Sequence, residues 1–338
     1  MTKQNKKIAF YGAGRCVINA LHDLTGHCYP VLTDVVVYSP HNVKKAEGAC
    51  MDMRDAHAFW NRGTNVNFKF TSQVSDLDGS DVVFVCTGGS PTPEEYAAAQ
   101  KQGIDDRLVQ GVYNINIMQT FAKYMQKSPD ADIFILTNPV DLMSEVVRRL
   151  LPAHQVYGMG CYMDTMRFRC EVRDYLKQAK GIDVGLQDIQ ANIIGLHNGT
   201  MFVSEKDFSI HGVSLTKEEL SEILDKTRQR GKLITDVNAS ALDRAPNNGA
   251  SWGPGAMVAK IFGALNGVED LVLPLNRKIL SEESVEHGGK YAQLLCRIAQ
   301  GKVIPEPMSL TTQDQKNLTL CLETYQADAG RLKAYLQN

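Results

Sequence analysis

The sequence predicts an α/β protein, with a doubly wound parallel sheet in its N-terminal half and a mixed α+β region after it. Three observations carry this. Short Val-, Ile- and Phe-rich runs recur, continuous rather than alternating, as strands covered on both faces are. Helix-prone segments stand between them, which is the pattern of βαβ units. The first run passes through a glycine-bearing turn straight into a helix.

The elements follow in order. "KIAFYG" is the first strand and "RCVINALHDL" the helix after it. "DVVVYS" is a second buried strand, followed by the helix-prone "NVKKAEGACMDMRDAHAF". "DVVFVCTGG" and "DIFILTNP" repeat one form: an aspartate, four or five apolar residues, then turn residues. "QVYGMG" closes the unit, so the expected division is residues 1–162 for a dinucleotide-binding domain of Rossmann type and 163–338 for a substrate domain. In the second half, "DTMRFRCEVRDYLKQAKG" reads as a helix ending at Gly181 and "IQANIIGLHN" as strand-like. "SLTKEELSEILDKTRQRGKLI" opens a long helix with the reciprocal cap pattern Thr216-x-x-Glu219. "TTQDQKNLTLCLETYQADAGRLKAYLQ" is again helical. The stretch "GGSPTPEEYAAAQKQGIDDR" is long for a βα loop and reads as a lid at the carboxyl end of a parallel strand.

Composition bounds the function. A chain of 338 residues suggests about two domains, and 43% hydrophobic with 22% charged residues is enough for a sizeable core. A formal net charge of −2 gives no reason to expect nucleic acid or an anionic membrane as partner. No apolar run approaches the roughly 18 residues of a spanning helix, and "MTKQNKKIAFYGAG" leaves no room for a signal h-region. The eight cysteines (Cys16, Cys28, Cys50, Cys86, Cys161, Cys170, Cys296 and Cys321) form no C-x-x-C pair. They read as reduced thiols rather than a disulfide frame or a metal site, and a cytoplasmic protein is the expectation.

The turn "GAGRCV", Gly12 to Val17, is a G-x-G-x-x-G pattern with Val17 in the third glycine position. Gly12 suits the tight turn, and Gly14 lets a pyrophosphate approach the backbone at a helix N-terminus. Arg15 and Cys16 belong to the same turn, and Thr87 and Gly88 end the third apolar run, so all four are candidate cofactor contacts. A dinucleotide site often has Asp or Glu on the ribose at the end of the second strand. This chain has Ser39 there, with His41, Lys44 and Lys45 close behind. The absent negative charge leaves NAD and NADP both open.

Four motifs carry a resemblance that runs along nearly the whole chain: "TNPVDLM" (137–143), "MDTMRFR" (163–169), "IIGLHNGT" (193–200) and "NGASW" (248–252). In order and spacing they resemble the lactate/malate dehydrogenase family. The resemblance implies hydride transfer between a nicotinamide cofactor and a small 2-hydroxy/2-oxo acid, malate/oxaloacetate ahead of lactate/pyruvate, in a homodimer or homotetramer. It makes His197 the acid–base group, Asp164 the carboxylate that orients it, and Arg167 the bidentate clamp on the substrate carboxylate. Arg107 polarises the substrate carbonyl. Asn138 contacts substrate and cofactor, Asn114 the cofactor, and Ser251 lines the substrate pocket.

The chain departs from the family at several positions. Lys101, six before Arg107, stands where the family distinguishes substrates, and offers a point charge rather than a fork. Leu196 precedes the histidine in place of the usual glutamate, and Asn198-Gly199 follows in place of Gly-Asp. Asn198 is expected to take the left-handed conformation that a glycine takes there. The long segment before Arg107 suggests a bulkier or differently charged 2-oxo acid as an alternative. Departures at Val17, Ser39, Leu196 and Asn198 together suggest another, a dinucleotide-binding protein without turnover. Retention of Arg107, Asn138, Asp164, Arg167 and His197 argues against that second alternative.

Overall fold

The computed structural model describes residues 7–27, 32–41, 43–59, 66–89, 91–101, 104, 106–128, 130–242 and 249–337. The N-terminal half alternates strand and helix: β1 (Lys7–Tyr11), α1 (Arg15–His27), β2 (Asp34–Tyr38), α2 (Val43–Phe59), β3 (Asn67–Thr71) and β4 (Val82–Val85). Two helices follow, α3 (Pro93–Lys101) and α4 (Asp106–Met125), then β5 (Asp132–Ile135), α5 (Val140–Leu150), β6 (Val156–Gly158) and α6 (Cys161–Lys180). The remainder is four short strands, β7 (Ile189–Gln190), β8 (Ile193–Ile194), β9 (Phe202–Val203) and β10 (Ser209–Ile210), then α7 (Lys217–Leu242) and α8 (Trp252–Leu265). Strands β11 (Leu271–Lys278), β12 (Tyr291–Ala299) and β13 (Lys302–Pro305) precede the last helix, α9 (Thr312–Gln337).

One sheet runs in the order β13-β12-β11-β6-β5-β4-β1-β2-β3. Its six N-terminal strands are parallel, so the doubly wound sheet expected from the apolar runs is present. The β11–β12–β13 meander joins antiparallel at β6 through the pair Asn276–Gly158. Because side chains alternate along a strand, each apolar run splits between two cores. Ile8, Phe10, Val35, Val37, Val82 and Phe84 pack against α1 and α8. Ala9, Tyr11, Val36, Val83, Val85 and Ile133 pack against α4, α5 and α9. On the first face Phe10, Phe84, Phe134 and Tyr157 stand opposite one another on four adjacent strands, with ring centroids 5.7, 5.3 and 5.3 Å apart. Such cross-strand aromatic pairs add to plain burial and hold the register.

Two close approaches position the cofactor turn. Gly12 has φ +124°, and a Cβ there would lie 2.9 Å from the Cys86 carbonyl oxygen, so only glycine fits between β1 and β4. Gly255 of α8 lets that helix touch the α1 backbone, where a Cβ would come within 2.8 Å of Asn19 and Ala20. Val17, in the third glycine position, is fully buried in the same core.

The lid expectation needs correction. Residues 93–101 are helical, because Thr92 and Glu95 form the reciprocal cap that the sequence pattern T-x-x-E allows. The Thr92 N–H donates to Glu95 Oε2 at 2.6 Å, and the Glu95 N–H to Thr92 Oγ1 at 3.3 Å. The Tyr113 hydroxyl donates to Glu95 and so ties α3 to α4. The cap expected at Thr216 is present, with Thr216 N–H on Glu219 Oε2 at 2.8 Å and Glu219 N–H on Thr216 Oγ1 at 3.2 Å. Arg148 over the Tyr291 ring, 3.6 Å to its centroid, ties α5 to β12.

The Arg277–Glu283 pair anchors the meander and is almost fully buried. Arg277 Nη1 and Nη2 donate to Glu283 Oε2 and Oε1 at 2.7 and 2.5 Å, and its Nε donates to the Leu295 carbonyl at 2.8 Å. The Leu280 and Met308 N–H groups complete the carboxylate. A buried pair costs most when one partner is removed, because the other charge is left without a match. Glu283→Gln is therefore expected to lower unfolding free energy by about 3–5 kcal/mol, read from denaturant titrations; a loss below about 1 kcal/mol would show that solvent already reaches Arg277.

Candidate active site

The site is assembled where β5 and β6 end and where α6 begins. Gly160 turns the chain from β6 into α6, and Asp164 sits in the first turn of that helix. Its carboxylate is 2% exposed and makes two bonds. Asp164 Oδ2 lies 2.5 Å from His197 Nδ1, and Asp164 Oδ1 accepts from Arg167 Nη1 at 3.2 Å. A carboxylate only accepts, so Nδ1 carries the proton and Nε2 is left to give or take one. Burial alone would raise the Asp164 carboxyl. The His197 imidazole, then Arg167 and Arg107, outweigh burial and hold it below the usual carboxylate value. Gly160 is required by this packing, since a Cβ there would lie 2.4 Å from His197 Cβ.

His197 is also held through its main chain. Its N–H donates to Asp141 Oδ2 at 2.8 Å, and its carbonyl accepts from Arg107 Nη1 at 2.6 Å. Arg107 lies in the first turn of α4. A shallow cleft is lined by Arg107, Asp141, Leu196, His197, Asn198 and Tyr325, among others, so Arg107 and His197 face the same space.

The cofactor candidates gather around the β1–α1 turn. The Gly12 N–H donates to the Tyr38 carbonyl at 2.9 Å, so the end of β2 lies against the glycine turn. Ser39 follows Tyr38, is mostly buried, and donates its N–H to the Thr71 carbonyl at 2.9 Å. Space around the Gly14 Cα is open within 4 Å, and the first turn of α1 carries no acidic residue. Burial pushes the Cys16 thiol up, so no thiolate stands at this turn to repel an anion. Cys16 Sγ and Arg15 Nη2 donate to the Ala250 and Gly249 carbonyls at 3.7 and 3.1 Å. The Thr87 carbonyl accepts from Thr137 Oγ1 at 2.5 Å, and Gly88 lies against the Asn114 amide.

Asn114 is buried, with Oδ1 accepting the Gly89 N–H and Nδ2 donating to the Asn138 carbonyl, both at 2.6 Å. It clamps the end of β4 to the end of β5. Asn138 Oδ1 is a buried oxygen with no partner among the described residues. A buried amide oxygen is seldom left alone, so a ligand donor fits there. An open glycine turn at a helix N-terminus without an acidic residue, and an orphan amide oxygen, suit a dinucleotide.

Other candidates stand apart or need correction. Ser251 is the buried N-cap residue of α8, where its side chain makes no cap bond. Lys101 ends α3 with its side chain exposed, and no bond among the described residues ties it to Arg107 or His197. His41 and Lys44 are exposed; the Lys45 side chain and Asn248 lie outside the described residues. Asn198 does not take the left-handed conformation: among the described residues Gln300 is the non-glycine residue with positive φ. The Asn198 side chain shapes the turn instead, its Oδ1 accepting from the Thr200 N–H and Oγ1 at 2.8 and 2.6 Å. Leu196 is 2% exposed, in a core with Ile194, Phe202 and Leu318. Asp141, inside "TNPVDLM", carries one signal in sequence, a carboxylate at the start of an apolar helix face.

The family model described as "lactate/malate dehydrogenase, NAD binding domain" matches residues 6–158. The N-terminal part of the chain is thus similar to the NAD-binding domain of the lactate/malate dehydrogenase family. Among similar proteins of this family, an L-2-hydroxycarboxylate dehydrogenase (NAD(P)(+)) of Methanocaldococcus jannaschii is 26% identical over 262 residues, 75% of this chain and 76% of that protein. A malate dehydrogenase of Staphylococcus carnosus is 28% identical over 277 residues, 79% and 80% of the two chains. The fold is that of a Cryptosporidium parvum lactate dehydrogenase solved with lactic acid and β-nicotinamide adenine dinucleotide. The TM-score is 0.80 at 23% identity, covering 98% of this chain and 99% of that one. Among the described residues, no helix is long and apolar enough to cross a membrane.

The depressed Asp164 carboxyl gives a pH dependence of stability. A carboxyl held below its unfolded value, near about 4, contributes fully above that value. The contribution is lost as pH falls through the lower folded value. Asp164→Asn should cost about 3 kcal/mol at pH 6 and distinctly less at pH 3, compared by denaturant unfolding at both. An equal cost at the two pH values would mean that the carboxylate charge contributes nothing there.

Proposed function

We propose that the protein is a nicotinamide-dependent 2-hydroxyacid dehydrogenase, with His197 as its acid–base group. The observation that carries this is the Asp164 carboxylate, which binds His197 Nδ1 on one oxygen and Arg167 on the other. An imidazole oriented in this way donates a proton from Nε2 to the carbonyl oxygen of a 2-oxo acid and takes it back from the hydroxyl in the reverse direction. Arg167 supplies the fork for the substrate carboxylate, on the same helix and three residues from Asp164. Arg107 and Asn138 polarise and orient the carbonyl. The bound nicotinamide supplies or accepts the hydride. On this reading Gly12, Gly14, Arg15, Cys16, Ser39, Thr87, Gly88 and Asn114 hold the nucleotide, within 1–162, and Ser251 serves the substrate side, within 163–338.

The finer substrate reading, oxaloacetate ahead of pyruvate, rests on the cationic Lys101 ahead of Arg107 in sequence. A homodimer or homotetramer in the cytoplasm remains the reading for assembly and location. A panel of 2-oxo acids, followed by nicotinamide absorbance with NADH and NADPH, tests the assignment. Wild type should reduce at least one acid. His197→Asn should lose about three decades of turnover while nucleotide binding changes little, because the imidazole acts on the carbonyl and not on the nucleotide. Near-normal turnover in that variant would refute the assignment.

Ser39 carries a separate expectation. It follows the Tyr38 carbonyl that receives the Gly12 N–H, beside the position of an adenosine ribose in a site of this kind. Without a fixed negative charge, NADP should be accepted at least comparably with NAD. Ser39→Asp adds an acceptor for the 2′-hydroxyl and repels a 2′-phosphate, together on the order of 2–3 kcal/mol. The NAD/NADP ratio of kcat/KM should rise tens-fold in the variant. A ratio that stays put would mean that residue 39 does not face the ribose.

A further inference from the structure

We infer that Asp141 is a positioning residue for His197: it fixes the main chain of the acid–base residue against the segment that carries Asn138. The inference rests on the functional reading above. Asp141 lies in the first turn of α5, three residues after Asn138, and is mostly buried. Its Oδ2 accepts the His197 N–H at 2.8 Å, and its Oδ1 accepts Asn276 Nδ2 and Gln293 Nε2 at 2.8 and 2.9 Å.

The orientation of each donor is set from elsewhere. A main-chain N–H can only donate. The Asn276 oxygen is taken by Arg148 Nη2 at 2.7 Å, which turns its NH2 toward Asp141. The Gln293 oxygen faces the Gly160 and Cys161 N–H groups at the start of α6, 3.4 Å from each, which turns its NH2 the same way. Three donors converge on one acceptor-only group, so the carboxylate is the side chain that matches them all. A carboxamide of the same shape must turn an NH2 toward at least one donor.

The geometry says what the tether does. One hydrogen bond from Nδ1–H to Asp164 leaves the imidazole free to pivot about that bond. A second attachment at the His197 N–H removes this freedom and references Nε2 to Asn138, because Asn138 and Asp141 share one turn. Gln293 extends the same reference to the N-terminus of α6, where Asp164 sits. Loss of the tether therefore displaces the acid–base group while the Arg167 clamp, itself held by Asp164, stays in place. Displacements of about 1 Å at a reacting centre cost on the order of 10²-fold in rate.

The test uses Asp141→Asn in the full-length protein. The expected result is a fall in kcat of about 100-fold, with KM for the 2-oxo acid and the dissociation constant of the nucleotide each within about threefold of wild type. The exchanged pair Asp141→Asn/Asn276→Asp returns an acceptor opposite the new NH2 and leaves an amide oxygen for the His197 N–H, with Gln293 Nε2 as the one donor left unmatched. It should recover kcat at least about tenfold over the single variant. Independently of activity, hydrogen exchange at the His197 amide should be protected in wild type and about tenfold faster in Asp141→Asn, with the Arg167 amide unchanged. If the single variant does not fold, the exchanged pair carries the test by kcat and exchange together. A kcat close to that of wild type in Asp141→Asn, a KM that rises in step with the loss, or an unchanged His197 amide overturns the inference. So does failure of both variants to fold, which would make Asp141 a stability element. A wild type that reduces no 2-oxo acid would sink the functional reading instead, and amide exchange would still decide the tether.

Discussion

A carboxylate taken out of water must be matched by donors or it will not stay charged, and the site depends on how Asp164 meets that requirement. Its two oxygens are matched by an imidazole N–H and a guanidinium N–H, both from side chains with chemistry to perform. One anion therefore sets the tautomer of His197 and the attitude of Arg167 at once. Burial alone would raise this carboxyl, but the pull of His197, Arg167 and Arg107 exceeds the desolvation penalty and keeps it below its usual value. A site built on one shared charge is economical, but His197 and Arg167 cannot be tuned separately.

The scaffold earns its role through close approach. Glycine at positions 12, 160 and 255 lets the β1–α1 turn meet β4, lets the β6–α6 turn meet His197, and lets α8 meet α1. Each contact brings backbone to within a distance that a Cβ would prevent, so the β1–α1 turn, His197 and α8 pack closely against their neighbours. The aromatic row of Phe10, Phe84, Phe134 and Tyr157 keeps the strands that end at the site in register.

The departures from the family pattern are absorbed by ordinary packing. Leu196 enters a hydrophobic core, Val17 fills the third glycine position in another, and Asn198 folds its side chain back to Thr200. None of the three removes a group that touches His197 Nδ1 or the Asp164 carboxylate. The segment before Arg107 is different in kind. It forms a capped helix tied to α4, which leaves Lys101 at an exposed helix end rather than on a loop beside the histidine.

Much of the fold was legible because it is written in local order. Continuous apolar runs give parallel strands, G-x-G after the first run gives the cofactor turn, and Thr216-x-x-Glu219 gives a helix start; each signal spans a few residues and needs no knowledge of the rest. The β11–β13 meander was not legible, because Pro274 interrupts one strand and its partners lie on either side of a long turn. Asp164, Arg167 and His197 could be named from their motifs, yet what surrounds them could not. Asp164 and His197 are 33 residues apart, and Asp141 and His197 are 56 apart. Sequence determined which residue types the chain carries and which short segments are strand or helix, since those follow from side-chain volume, polarity and period. Tertiary structure alone decided that a second carboxylate holds the His197 main chain, that Arg107 rests on its carbonyl, and that the Asn138 amide oxygen is buried with no partner among the described residues. Those facts depend on which buried donors and acceptors meet across elements, and a one-dimensional pattern carries no record of that.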